Sequence, residues 1–544
     1  MPLDTQDMNE SHSHYEEDWA SLSQFKGLPG TRRHNLLHSN EAPFDTELTD
    51  FRNVIRKTGT PLARLDDEIA RTRRHLQDLE DRRAELWSFR EQNRGVLSPL
   101  RRVPLEVLGE IFQWALPLPQ DSPLRKGFRI SDSPWNLTHV CRRWRDVAIS
   151  APSLWSLVAI KYGDDSKSSL WSYPLPMVET QIERAQSHGL RIHFYGSEVA
   201  NSESQIQVLE CLMQYMSRWE DLSIGLTSFL YPILESVDDQ LSLLRRVWVE
   251  WMCLESQQSA GPITAFQRAP SLCNVAVCNE HMYTPVFLPI EQLTRYQLNA
   301  PWNSHRDILA LAPNLVEAHI AVAYDEEDDW PTPPRSDGKF LQLSLLKRLF
   351  VSHLEILQYV TFPVLEEIAV GIDSDEVDAI PKYLEPSISR SSCTLRSLCI
   401  VGCPISCATL VQFPSVTEFK IIVDNDESSF ETLNRLLVDL TLASLDAEQT
   451  IVAPQLREIS IGHKLEEREF IFAPYLAMLE SRHKTRDSAL YAAHLYIVSK
   501  ATTRDTASQD RMRALRTNRL RLGYKEGRSA NHALMDWNFA TTWC

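Results

Sequence analysis

The stretch Pro363-Val-Leu-Glu-Glu-Ile-Ala-Val carries apolar residues at Leu365, Ile368 and Val370, with a proline two residues before the first of them. The same apolar spacing recurs along the chain, with first positions at residues 244, 272, 293, 315, 346, 365, 395, 416 and 456. A proline precedes several copies, at residues 270, 313, 363, 414 and 454. A recurrence every ~20–40 residues is typical of a solenoid in which each unit contributes one short strand.

This recurrent pattern resembles a degenerate leucine-rich repeat, and we assign residues 165–480 to one such array. The asparagine or cysteine that usually follows the last apolar position by three residues is clear only at Cys403. The irregular spacing implies helices or loops of unequal length between the strands. The alternative is an ordinary α/β domain whose hydrophobic strands match the pattern by chance. The expected fold class is mixed: a long N-terminal helix and a helical segment, followed by an α/β leucine-rich-repeat-like solenoid.

Strand positions that lie between the apolar ones are predicted to share the outward face of the sheet, because side chains alternate along a strand. In a repeat array this face is the usual binding surface. The outward positions are Asn274, Ala276, Glu317, His319, Arg348, Phe350, Glu367, Ala369, Ser397, Cys399, Glu418, Lys420, Glu458 and Ser460. The candidate substrate-binding residues among them are Arg348, Phe350, Glu367, Ser397, Lys420 and Glu458. Their mixed charge predicts a polar surface rather than an apolar groove.

Residues 98–160 predict two short amphipathic helices. Pro104 suits the first turn of a helix, where its missing N–H costs nothing, and Glu106 favours the positive end of the helix dipole. The first helix must end before Pro117, and a loop follows. Ser133 is the predicted N-cap of a second helix that runs to Ala148. Two such helices make a thin core, which predicts cover from a partner or a neighbouring domain.

The segment Val103-Pro-Leu-Glu-Val-Leu-Gly-Glu-Ile-Phe resembles the opening helix of an F-box. Leu137-Thr-His-Val-Cys-Arg-Arg-Trp resembles the L-x-x-V-C-[RK]-x-W segment of that family, and Ala151-Pro-Ser-Leu-Trp-Ser resembles its apolar close. The chain departs from the family in having Val103 where leucine is usual, and in a longer loop between the helices. The alternative is an unrelated helical hairpin.

The F-box resemblance implies that a Skp-type adaptor, and through it a cullin ubiquitin ligase, is the partner of this segment. It implies the following adaptor-contacting or supporting residues: Val103, Pro104, Leu105, Glu106, Leu108, Ile111, Phe112, Leu137, Val140, Cys141, Trp144, Leu154 and Trp155. The short apolar passage from Leu154 to Ile160 predicts that the first strand follows the F-box-like segment without a flexible linker.

The two ends of the chain differ in character. Residues 1–50 are polar without a sustained period and are predicted to be disordered. Residues 51–95 predict a long helix, whose stripe of Leu65, Ile69, Leu76, Leu79 and Leu86 fits either a short coiled coil or packing on its own chain. Residues 481–544 are basic and predict a solvated tail or cap, with docking onto the acidic body as the alternative.

The composition excludes several classes of function. Lysine and arginine total 56 against 73 acidic residues, a net charge of −17, which argues against nucleic acid or an anionic membrane surface as a partner. The sequence shows neither a membrane-spanning apolar run nor a secretory signal. Ten cysteines scattered through so long a chain predict free thiols and an intracellular location, in cytoplasm or nucleus.

Motifs for catalysis and for cofactors are not found in the sequence, so we expect no enzyme activity, no cofactor and no metal. Gly27-Leu-Pro-Gly-Thr-Arg lacks the lysine of a phosphate loop. Cys393, Cys399, Cys403 and Cys407 are spaced too irregularly for a typical zinc site. The acidic run Asp325-Glu-Glu-Asp-Asp predicts a solvated loop or a site for a basic partner segment.

Together these patterns predict a substrate-recruiting adaptor subunit of a Skp–cullin–F-box type ubiquitin ligase. The F-box-like segment would bind the adaptor, and the repeats would hold an unidentified protein substrate. Two alternatives remain: an F-box scaffold that acts outside ubiquitination, and an enzyme with an unrecognised site in the repeat region.

Overall fold

The computed structural model describes residues 27–116, 134–163, 175–237, 241–324, 334, 339–372, 379–423, 427–441, 453–464, 470–484, 488–498, 506–516 and 520–537. The chain forms two compact units, one that ends at Pro104 and one that begins at Leu105. The described part of the first unit is helical. The second unit combines helices with a large parallel sheet.

One long helix dominates the first unit. Helix α1 spans Arg32–His38, and α2 spans Asp45–Val96, a length of 52 residues that includes Pro61. The Glu47 carboxylate accepts a hydrogen bond from the N–H of Phe44 at 2.7 Å, which caps the start of α2. No residue of α2 is buried. The long helix predicted over residues 51–95 is confirmed. Packing of its apolar stripe against its own chain, one of the two predicted alternatives, is not seen in the described part of the chain.

The prediction of disorder over residues 1–50 is wrong for α1 and for the first turn of α2. Capping signals inside a polar stretch explain the difference, since the Thr31 hydroxyl accepts from the N–H of His34 at 3.3 Å and starts α1. Residues 1–26 lie outside the described part of the chain.

The second unit begins with short helices, and we call the described residues of 105–155 the hook. Helix α3 spans Leu105–Trp114, α4 spans Leu137–Val140 and α5 spans Arg142–Ile149, and a 3-10 turn follows at Pro152–Trp155. The continuous second helix predicted up to Ala148 is wrong, because Cys141 is extended at φ −160° and ψ 171°. Its thiol caps α5 by accepting from the N–H of Trp144 at 3.5 Å. The predicted N-cap Ser133 and the preceding loop lie outside the described residues.

Fourteen parallel strands, counted over the described residues, form one open sheet in which each strand pairs with the next one along the chain. They are β1 Leu157–Lys161, β2 Leu190–Tyr195, β3 Trp219–Leu226, β4 Arg246–Trp251, β5 Asn274–Cys278, β6 Arg295–Ala300, β7 Glu317–Val322, β9 Arg348–Val351, β11 Glu367–Ile372, β12 Ser397–Gly402, β13 Glu418–Val423, β14 Glu458–His463, β15 Ala492–Ile497 and β16 Arg521–Glu526. The short strands β8 Leu341–Gln342 and β10 Val360–Thr361 pair separately.

Helices and turns connect the strands of the sheet. The α-helices are α6 Leu175–Arg184, α7 Ser202–Met213, α8 Tyr231–Glu235, α9 Leu254–Gln258, α10 Trp302–Ala310, α11 Glu385–Ser391, α12 Cys407–Val411, α13 Glu427–Asp439, α14 Phe472–Lys484, α15 Thr506–Leu515 and α16 Arg528–Trp537. Their unequal lengths agree with the irregular spacing of the sequence pattern.

Strands occur at every position that the apolar pattern predicts, from β4 to β14. The apolar residues of the pattern, such as Ile368 and Val370 in β11, are almost fully buried on one side of the sheet, which we call the core face. The opposite side, to which Glu367, Ala369 and Gly371 point, is called the front face. The predicted sheet is therefore confirmed together with its orientation.

The sheet extends beyond both predicted limits of the array, residues 165 and 480. Strand β1 starts at Leu157, directly after the hook, and β15 and β16 lie within the stretch predicted as a basic tail or cap. The apolar pattern does not detect the C-terminal strands because small residues replace large ones at core positions. In β15, the first core position is Ala493. Helix α15 also docks on the body, where Arg511 pairs with Glu480 of α14 at 2.7 Å.

Candidate functional site

The hook has a small apolar core of its own. Leu108 and Phe112 of α3 are buried, and the Phe112 ring lies 4.8 Å from the ring of Trp144 in α5. The indole N–H of Trp155 donates to the carbonyl of Ala148 at 2.7 Å. Other predicted adaptor-site residues, Leu137 and Leu154, are buried as well. These side chains support the hook and are not available to touch a partner.

A second group of predicted adaptor-site residues is exposed. Leu105 is 52% exposed, Ile111 42% and Val140 58%. Glu106 and Cys141 are also exposed, whereas Trp144 is half-buried. Val103 (half-buried) and Pro104 (exposed) belong to the preceding unit. The predicted set therefore divides into a supporting group and an accessible group.

Helix α3 is apolar over about half of its circumference, but only part of that half is covered. Successive helical residues turn by about 100°, so Val107, Ile111 and Trp114 share one flank of the buried Leu108 and Phe112. All three are exposed, Trp114 by 87%. Sequence reasoning missed Val107 and Trp114, although their four- and three-residue spacing from Ile111 could have identified them. An uncovered apolar face of this kind is a candidate interaction surface.

The hook is fixed to the first helix of the sheet region. The Trp135 and Trp155 rings lie edge to face at 5.2 Å, and the Arg184 guanidinium of α6 lies 4.7 Å and 4.4 Å from their respective centroids. The Gln181 side chain accepts from the indole N–H of Trp135 at 3.0 Å and donates to the carbonyl of Leu157 at 2.6 Å. Cation–π contacts contribute about 0.5–2 kcal/mol each. The hook therefore keeps a fixed orientation on the sheet.

The register of the sheet brings the six candidate substrate residues onto the front face. Arg348, Glu367 and Ser397 are direct neighbours on β9, β11 and β12, and Glu458 continues this row on β14. Phe350 and Lys420 lie in the parallel row, two residues further along their strands. The prediction that these positions share one face is confirmed.

Charged side chains of the first row pair with one another. Glu317 forms an ion pair with Arg295 at 2.5 Å and accepts a hydrogen bond from Arg348 at 2.7 Å, and the Arg348 guanidinium also lies 3.6 Å from the Glu367 carboxylate. Asp221 pairs with Arg246, and Glu418 pairs with Arg396 at 2.7 Å. We call this row the ion ladder. Arg348 and Glu367 are therefore paired within the ion ladder, where they link β9 to β7 and to β11.

Several residues of the second row, which also contains Lys420, are buried. Phe350 stacks on His319 at 4.1 Å, and both side chains are less than one-tenth exposed. Burial lowers the pKa of His319 to about 3 and that of His193 to about 4. Ser397 and Cys399 are buried too. The predicted polar surface is therefore wrong for Phe350 and Cys399, which are buried and belong to an apolar cluster.

The C-terminal helix α16 contributes to this apolar cluster. Leu534 and Trp537 form one apolar cluster with Phe350, Ala369, Cys399 and Ile422 on four neighbouring strands. The Trp537 ring meets Tyr496 of β15 at 4.9 Å. The apolar strand pattern does not indicate this helix, although the spacing of Ala530, Ala533, Leu534 and Trp537 is typical of an amphipathic one.

No protein-family model matches the sequence, and no curated protein matches it either. The function must therefore be inferred from the residues and their geometry.

The described residues also define what chemistry is present. Their cysteines are free thiols, and they include no group of three or more His, Cys, Asp or Glu side chains that could hold a metal ion. Within the same residues, every helix is too short or too polar to cross a membrane. The acidic run at 325–329 lies outside the described part of the chain.

Proposed function

We propose that this chain is a substrate-recruiting adaptor subunit of a Skp–cullin–F-box type ubiquitin ligase. The hook binds the Skp-type adaptor, and the front face of the sheet holds a protein substrate. A separate enzyme transfers ubiquitin, so the chain needs no catalytic residue, cofactor or metal. Holding substrate and enzyme together replaces a bimolecular encounter by an effectively intramolecular one, which accelerates the transfer.

The observation that carries this proposal is the division of the F-box-like residues in the hook. Leu108, Phe112 and Trp155 lock the helices together, while Leu105, Ile111 and Val140 stay exposed on the same small unit. A rigid scaffold that presents a few large apolar side chains is the arrangement that concentrates binding energy in an interface. Because Val103–Phe112 and Leu137–Ala148 resemble an F-box, we infer that the partner of this surface is a Skp-type adaptor.

The proposal also interprets the sheet as a leucine-rich-repeat-like solenoid. In-sequence pairing of neighbouring parallel strands supports this interpretation. Buried residues three positions after the last apolar strand residue also support it after β2, β3 and β12, namely Ser197, Thr227 and Cys403, whereas β5 and β14 have Glu280 and Lys464 there. The sequence pattern had identified only Cys403.

Co-purification of the Skp-type adaptor with full-length chains tests the proposal. Changing Leu105, Ile111 and Val140 to Asp should abolish recovery of the adaptor, because charges replace the exposed apolar contacts. The matched control is Val438→Asp on α13, whose side chain is 60% exposed. Recovery should be unaffected in the control, and both chains should unfold at the wild-type urea midpoint.

Two results would count against this proposal. Undiminished adaptor recovery by the folded triple variant would remove the hook from the interface. Recovery of the adaptor without any cullin, from cells that contain both, would favour a scaffold outside ubiquitination.

A further inference from the structure

Helix α2 carries a long stripe of mainly apolar side chains. Its residues recur at alternating steps of three and four, which keeps them on one side of a helix. We call this stripe the seam, and its members are Leu62, Leu65, Ile69, Thr72, Leu76, Leu79, Arg83 and Leu86. The leucines and the isoleucine are between 41% and 70% exposed. The seam therefore lies open over the residues that the structure describes.

A helix as long as α2 usually gains its stability by burying an apolar face. Helix α1 contacts only its start: the Arg33 guanidinium lies 4.8 Å from the centroid of the Phe51 ring, and Arg32 lies 3.5 Å from the Glu47 carboxylate. The seam begins after Pro61, beyond these contacts, and no residue of α2 is buried. The described part of the chain therefore does not supply the burial that the seam needs.

The surface of α2 has a pocket where a side chain of a second helix would fit. Leu65, Glu68, Ile69, Thr72 and Arg73 line this pocket. In a two-stranded coiled coil, each seam residue inserts between four residues of the facing helix. For Ile69 of a second copy, aligned in parallel and in register, those four are Leu65, Glu68, Ile69 and Thr72. The pocket thus lies where Ile69 of a second copy would be placed.

Polar residues beside the seam complement those of a second copy. In a parallel, in-register pair, the residue just before Ile69 or Leu76 lies close to the residue five positions further along the other helix. Glu68 would therefore meet Arg73 of the second copy, and His75 would meet Glu80 of the second copy. Twofold symmetry forms each contact twice. Such flanking pairs determine the choice and the orientation of the partner helix.

Arg83 is the one charged residue of the seam. In the same pair it lies beside Arg83 of the second copy, so the like charges oppose pairing. A single polar residue at a seam position fixes the register at a cost in stability. Arg83 therefore weakens the pair, and leucine in its place should strengthen it.

We propose that the chain forms a parallel, in-register homodimer in which the seam of α2 packs against the seam of a second copy. This inference goes beyond the proposed adaptor role and does not depend on it. Because α2 ends at Val96, both chains leave a parallel pair at the same end. One dimer then carries two copies of the hook.

Sedimentation equilibrium of the full-length chain at micromolar concentration measures the association. We expect a mass about twice the 62.5 kDa of one chain. Ile69→Asp/Leu76→Asp should reduce the mass to that of one chain, because it places carboxylates inside the seam. The matched control is Ala70→Asp/Gln77→Asp, which adds the same charge at exposed positions outside the seam and should remain a dimer. A wild-type monomer would overturn the proposal, and so would a dimer that the seam substitutions leave intact.

Arg83→Leu tests the seam in the opposite direction, by strengthening it. Removal of the two facing guanidinium groups should lower the dimer dissociation constant by roughly tenfold or more. This result does not depend on a variant that loses its structure. A dissociation constant that is unchanged or raised by Arg83→Leu would overturn the seam as the interface.

Cysteine cross-linking tests the orientation of the two helices. In a parallel, in-register pair Leu65 faces Leu65 of the second copy, so Leu65→Cys should form an interchain disulfide under mild oxidation, identified by mass spectrometry. Asp67→Cys, at an exposed position outside the seam, is the control and should not cross-link. Equal cross-linking of the two variants, or none in Leu65→Cys, would overturn the parallel arrangement. Adaptor recovery is measured separately, so failure here leaves the role of the hook standing.

Discussion

The hook and the front face are both surfaces on which sequence reasoning placed a partner, and they differ in what covers them. On the hook, Leu105, Ile111 and Val140 are exposed beside a buried core. On the front face, Phe350 and Cys399 are buried in an apolar cluster that also includes Leu534 and Trp537 of α16. An apolar residue in a motif therefore does not reveal whether it binds or supports. The structure divides the apolar residues of the hook into buried and exposed ones, and it shows α16 packed against part of the front face.

The largest expected effect comes from removing a supporting residue of the hook. Trp155→Ala should cost about 3–5 kcal/mol of stability in the hook region, because it empties a fully buried site and breaks contacts to Ala148 and Arg184. Trp114→Ala should change stability by less than about 0.5 kcal/mol, because that ring is exposed. Native-state hydrogen exchange measures both. Equal losses of stability for the two substitutions would contradict the division of the hook into supporting and accessible residues.

A smaller effect is expected within the ion ladder. Glu317→Ala should cost about 1–3 kcal/mol, because it leaves Arg295 and Arg348 side by side without their shared carboxylate. Glu366→Ala, which breaks an exposed pair with Lys347 at 3.5 Å, should cost about 0.5 kcal/mol or less. Urea unfolding at low and high salt measures the difference. A cost for Glu317 no greater than for Glu366 would mean that the ladder does not hold the strands.

The smallest expected effect is the pH dependence contributed by His319. Its folded pKa of about 3 lies below the ordinary value near 6.5, so the unfolded chain binds the proton first as pH falls. Stability from this residue is therefore complete above about pH 6.5 and declines below it. His319→Asn should reduce the slope between pH 6 and 5 by at most about 1.4 kcal/mol per pH unit, with His139→Asn on the exposed hook surface as the comparison variant. An unchanged slope in His319→Asn would show that protonation of this ring is not coupled to unfolding.

The apolar period predicted the sheet well because each strand repeats the same local requirement, two or three large residues on the core face. The same reasoning missed β15, where Ala493 fills a core position, and it placed one continuous helix across Cys141, which is instead an N-cap. Both failures are local, since a small or unusual residue replaced the expected one.

The cover on the front face could not be predicted from strand pattern alone. It depends on where α16 packs after the chain has folded, and that position is set by contacts between residues far apart in sequence, such as Leu534 and Gly462. In the hook, too, the exposure of a residue depends on how the helices pack and not on the local sequence pattern. The sequence pattern pointed to both Leu105 and Leu108. Only the packing of the helices shows that Leu105 is exposed and that Leu108 is buried.

Hydrogen exchange of the full-length chain with and without a purified Skp-type adaptor tests the central claim most directly. We expect the adaptor to slow amide exchange in Leu105–Trp114 and Arg142–Ile149 and to leave strands β9 to β14 unchanged. Slowed exchange confined to the strands, or no slowing anywhere at adaptor concentrations in the micromolar range, would contradict the assignment of the hook as the adaptor-binding surface.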